Sequence, residues 1–111
     1  MPKTWLIDRT ETSVLVTRRK PVRWDLEASA EFPACHPLRL AHQIRQDLWR
    51  MLKKLKGFAP AVEVTLGDTL IVRAGGRVER HVPPRTNAKI KALLTDPRHR
   101  ARWIAYARYG T

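Results

Sequence analysis

The residues in this chain with the most chemistry to offer lie in one stretch, His42 to Lys54, which reads HQIRQDLWRMLKK. Its apolar positions recur at helical spacing. At about 100° per residue, Leu40, Ala41, Leu48, Met51, Leu52 and Leu55 fall within roughly 80° of Ile44 and define a core-facing stripe. Trp49 does not belong to that stripe. It lies about 140° from Ile44, on an arc that also carries Arg39, His42, Arg45, Gln46, Arg50, Lys53, Lys54 and Lys56. His42, Arg45, Trp49 and Lys53 form a continuous ridge, with Lys56 beside it. Lysines and arginines along a ridge can meet successive phosphates, and an aromatic ring among them can stack on an unpaired base. The same spacing also fits a tryptophan covered by the C-terminal helices or closing a seam between proteins, because a large ring is usually mostly buried.

A second basic cluster, RHRARW, places Arg98 and Arg102 one helical turn apart, with Arg100 between them. Arginine-rich helices bind phosphate through charge and bidentate geometry, although a solvated helix face has the same sequence signature.

Other chemistries are less well supported. Cys35, His36 and His42 suggest zinc, but the adjacent Cys35 and His36 cannot readily both point at one ion, and the only further histidines, His81 and His99, are far away in sequence. No metal or cofactor is therefore expected. Asp25, Glu27 and Glu63 could in principle hold a divalent cation. Arg23 and Arg73 share their strand faces, however, and cross-strand ion pairs are the simpler account. Gly75-Gly76 lacks the flanking pattern of a phosphate-binding loop. A non-catalytic protein is the expectation.

The composition agrees with a polyanion partner. The 111 residues carry 22 Lys+Arg against 10 Asp+Glu, a net charge of +12. Ten of the twelve net charges fall in residues 36–60 and 86–111, each with six basic groups and one acid, Asp47 and Asp96 respectively. Charge of this size draws in nucleic acid from a distance. At 43% apolar the chain can build one modest core. The sequence has no apolar run of membrane-spanning or signal-peptide length and a single cysteine. A reducing, cytoplasmic setting is expected.

These candidate residues must be positioned by a small α+β domain covering residues 1–111. Positions 22–32 alternate without a break, with Val22, Trp24, Leu26, Ala28, Ala30 and Phe32 on one side. Two shorter strands precede it, around TWLID and SVLVTRR, and a three-strand meander is expected. Pro37 suits the first turn of the long helix, and Gly57 its C-terminal cap. Residues 61–74 read as a hairpin. Placing Leu66 opposite Leu70, Val64 opposite Val72 and Val62 opposite Ala74 keeps apolar residues on one face, at the cost of an odd loop, Gly67–Thr69. Gly75 onward reads as a basic loop. Thr86 or Asn87 is expected to cap a short helix, and Asp96-Pro97 to open a last one. The sheet thus has about five antiparallel strands, with a long central helix on one face and two short helices after it. Trp5, Trp24 and Trp103 are expected core members.

The expected function is RNA or DNA binding of low sequence specificity through Arg39, His42, Arg45, Trp49, Arg50, Lys53 and Lys56, joined by Arg98, Arg100 and Arg102. The rival is docking to an acidic protein, as a subunit of a phage-like or ribonucleoprotein assembly or as an inhibitor of a nucleic-acid enzyme. Tryptophan and arginine also anchor protein interfaces.

Overall fold

A computed structural model describes residues 5–108. The chain order is β1 (Leu6–Arg9), β2 (Ser13–Thr17), β3 (Leu26–Phe32), α1 (Pro37–Leu52), β4 (Ala59–Thr65), β5 (Leu70–Arg77), α2 (Thr86–Thr95) and α3 (Pro97–Tyr106). The five strands form one antiparallel sheet in the order β1-β2-β4-β5-β3. The α+β architecture is the one the hydrophobic patterning predicts. Among the described residues no helix is long and apolar enough to cross a membrane.

The β4–β5 hairpin has the register set by apolar parity, with Val64 opposite Val72 and Val62 opposite Ala74. The meander does not form. β4 takes the free edge of β2, pairing Val14 with Val64 and Val16 with Val62, so β3 must cross to the far side of the sheet and join β5. Alternation in β3 reports which face is wet, not which strand lies alongside. The crossing segment, residues 18–25, passes the sheet end: the Arg18 amide donates to Pro60 O and the Asp25 amide to Gly76 O. Asp25 then accepts from the Val78 amide at 3.1 Å and from Arg23 at 2.9 Å. Burial alone would raise its carboxyl, but these donors prevail and hold it below its ordinary value.

Gly75 and Gly76 are strand residues, not the start of a loop. A Cβ on Gly75 would lie 2.0 Å from Leu26 O, and one on Gly76 would lie 2.1 Å from Ala59 O. Glycine is required because neighbouring backbones on both sides close against β5 at this point.

One core joins sheet and helices. Leu40, Ala41, Ile44, Leu48 and Leu52 of α1 are buried against Val16, Val62, Val64 and Val72, with α1 lying across β2, β4 and β5. α2 covers β3 through Ile90, Leu93 and Leu94, and α3 inserts Trp103, which is fully buried and 6.2 Å from the Phe32 ring. Two expectations for the α1 stripe fail at its end: Met51 is exposed and Leu55 only half-buried. The helix stops at Leu52, and Lys53–Gly57 form turns in which the Leu55 amide bonds Leu52 O and the Phe58 amide bonds Leu55 O. Gly57, at φ 71°, closes these turns rather than the helix itself.

The two sheet edges differ. On β3 the Glu27 amide donates to Asn87 Oδ1 at 3.0 Å, Lys91 donates to Ser29 O, and Arg100 donates to Glu31 O at 2.8 Å. Asn87 therefore serves the sheet rather than capping α2, and Thr86 donates to Pro83 O. α2 begins without a side-chain cap after Arg85, which adopts the left-handed conformation at φ 68°. Asp96 does cap α3, accepting from the His99 amide at 2.9 Å, with Pro97 next. β1, at the opposite edge, is exposed along its whole length, including Leu6 and Ile7.

Candidate nucleic-acid interface

The two flanks of α1 are used differently. Asp47, its only acid, points to α3. There it accepts from the buried Trp103 indole Nε1 at 2.7 Å and from Arg102, with Arg50 Nη1 at 3.6 Å. This flank lies roughly 160° around the helix from Arg45. The carboxylate that could neutralise α1 is therefore consumed on the side away from the ridge.

On the ridge side the sequence-predicted residues meet partners from distant parts of the chain. Trp49 is half-buried and stacks on Phe58, with ring centroids 6.1 Å apart and planes 6° from parallel. The Arg18 guanidinium lies 5.6 Å from the Trp49 ring and 4.8 Å from the Trp5 ring, and Arg45 lies 4.4 Å over Trp5. The ring neighbours of Trp49 thus come from the residue just after β2 and the residue just before β4, and Trp49 packs against the edge of the core. Trp5, expected in the core, is half-buried: it packs against the core and belongs to this cluster as well. Trp24 is half-buried as well, with Arg73 4.1 Å over its ring.

The electrostatics of this cluster are one-sided. Neither Arg18 nor Arg45 makes an ion pair among the described residues. Arg45 Nε is enclosed and has no hydrogen-bond partner. Burial and the nearby Arg18 charge both push the Arg45 guanidinium below its ordinary value. Burial, then the charge of Arg45, likewise pushes His42 below 6.5. Lys53 and Lys56 are exposed in the turns that follow α1, and Arg39 is exposed near its start. The stacking costs the arginines little of their donor capacity. A guanidinium uses its π face against an indole while its N–H groups stay in the plane.

The second basic segment is built for structure. Arg100 donates to Leu94 O at 3.1 Å as well as to Glu31 O, and lies 3.9 Å over the Phe32 ring. Arg102 is bound to Asp47. Arg98 is exposed and borders an open depression of about 470 Å³ with Asp96, His99 and Arg102. The N-terminal end of α3 there is already occupied by its own acid. The Asp96 carboxylate accepts from the His99 amide and lies 2.6 Å from His99 Nδ1, which hold it below the ordinary carboxylate value.

Elsewhere, two of the acids considered for a metal site are engaged: Asp25 takes Arg23 and the Val78 amide, and Glu27 takes Arg73 in a bidentate pair at 2.9 and 3.1 Å. Cys35 is buried, which pushes its thiol up, and His36 caps α1 by accepting from the Arg39 amide. Arg18, Trp5 and Phe58 are the members of the cluster that the helical pattern could not supply. A hint existed in the run Arg18-Arg19-Lys20, three cations at a strand end without an acid beside them. Comparison with protein-family models, curated proteins and solved structures gives no significant match to any of them.

Proposed function

We propose that this chain binds nucleic acid, RNA or DNA, without catalysis, through the flank of α1 that carries His42, Arg45, Trp49, Lys53 and Lys56 together with Arg18 and Trp5. The observation behind this reading is the pair of arginines stacked among indoles with no carboxylate nearby. Uncompensated, partly desolvated cations are costly to maintain in a protein built only for stability. A phosphate chain arriving at the ridge supplies the missing negative charge. Arg39 adds an exposed charge near the start of the helix, whereas Arg50 sits by Asp47 on the other flank, and Arg98 contributes at most long-range attraction from another side.

Affinity from such a surface comes mainly from counterion release, so it carries little sequence information. If Arg18, Arg45, Lys53 and Lys56 each neutralise a phosphate, the logarithm of affinity falls with the logarithm of salt at a slope of about −3 to −4. Titration of a labelled oligonucleotide at several salt concentrations measures that slope directly. Joint replacement of Arg45, Lys53 and Lys56 by alanine should flatten it, and absence of binding at low salt overturns the proposal. An acidic protein partner is the competing outcome. It is identified by a partner that remains bound to the chain after nuclease treatment.

A further inference from the structure

Phe58, Trp49, Arg18, Trp5 and Arg45 form a run of five planar groups, each within 6.1 Å of the next by ring centroid or guanidinium carbon. The run draws on four separate parts of the chain: the segment before β1, the end of β2, α1 and the start of β4. Such a ladder exceeds what phosphate contact requires, since lysines on a helix face would serve for charge alone. Flat groups interleaved with cations are the surface on which unpaired bases stack, because every base has a π face and its phosphate lies within reach of the same arginines. A duplex keeps its bases inside and presents only phosphates and groove edges to this surface.

We infer that the ligand of this site is a single strand, with at least one base joining the ladder at Trp5 or Trp49 while Arg18 and Arg45 hold the adjoining phosphates. This rests on the nucleic-acid reading above and narrows it to a substrate class. Both indoles are half-buried, so neither is closed off completely, and each is braced by two neighbours on this chain, Trp49 by Phe58 and Arg18, and Trp5 by Arg18 and Arg45. Arg45 lies 4.4 Å over Trp5 and makes no ion pair among the described residues.

The test compares three ligands on the full chain at one salt concentration: a short mixed-sequence single strand, its duplex, and inorganic polyphosphate, which has charge but no bases. The single strand should bind about tenfold more tightly than the duplex at equal phosphate concentration and should quench tryptophan emission; polyphosphate should leave that emission unchanged. Trp5→Leu should lose the single-strand preference and keep polyphosphate binding, whereas Trp5→Phe should retain most of it. Arg18→Gln, at the end of β2, gives a second variant with the ladder interrupted, and each variant's urea midpoint reports whether the fold survives. Equal affinity for single strand and duplex overturns this inference and leaves the wider proposal standing. So does a Trp5→Leu variant that weakens all three ligands alike. Failure of all three to bind overturns both.

Discussion

The chain has two helices that look alike in sequence, each rich in arginine with one acid, Asp47 within α1 and Asp96 at the cap of α3, yet the fold gives them opposite fates. On α3, Arg100 and Arg102 are spent on the structure, one on two backbone carbonyls and the Phe32 ring, the other on Asp47. On α1, Arg45 has no acid, and its neighbour Arg18 adds to its charge rather than balancing it. The difference comes down to where the single carboxylate of α1 points. Asp47 faces α3, so it settles the charge of that helix and leaves the opposite flank of its own helix unbalanced. A basic segment is thus a candidate contact only after its ion pairs have been accounted for, and three-dimensional neighbours settle that account.

The contrast can be broken experimentally, most forcefully at Asp47. Asp47→Ala leaves the buried Trp103 N–H without an acceptor and should cost about 2–3 kcal/mol in urea unfolding, while oligonucleotide affinity stays level or rises. Asp47→Asn keeps an acceptor for the indole and should lose less. A stability loss no greater for alanine than for asparagine would mean that Asp47 does not dock α3.

Arg100→Ala should have a smaller effect, about 1–2 kcal/mol, from two lost charge-assisted bonds to backbone and the uncovered Phe32 ring. Its oligonucleotide affinity should stay within about twofold of the parent. A clear drop in affinity with stability intact would return Arg100 to the binding surface and erase the distinction between the helices.

The smallest effect expected is the pH response of His42. Its folded-state value is depressed, so the unfolded chain takes up a proton that the folded chain resists. The stability this provides is fully present above the ordinary value of 6.5 and is lost as pH falls through the lower folded value. Subtracting the urea-unfolding pH profile of His42→Gln from that of the parent isolates this contribution. A difference that does not change with pH means that neither burial nor the Arg45 charge depresses His42.

Local rules carried the sequence reading through the elements and failed at their associations. Parity alone set the β4–β5 register, since any shift by one residue would have placed Arg73 on the buried face. Asp96-Pro97 opened α3 as local capping chemistry requires. The helical wheel kept Trp49 out of the fully buried core, but no local pattern could show that Arg18, Trp5 and Phe58 would meet it, because each lies beside a different strand. The exchange of β3 from one side of the sheet to the other is of the same kind: its alternation was legible and its partner was not. The glycine pair misled for the opposite reason. Two adjacent glycines signal a turn when the chain is free, and here they answer a crowding of backbones that only the assembled sheet creates.

The unequal edges of the sheet have a consequence for assembly. With Asn87, Lys91 and Arg100 bonded to the outer backbone of β3, that margin is sealed against a sixth strand. The opposite margin, β1, has no such side-chain cover among the described residues. The sheet is therefore one-ended: a foreign strand can lengthen it from the β1 side alone.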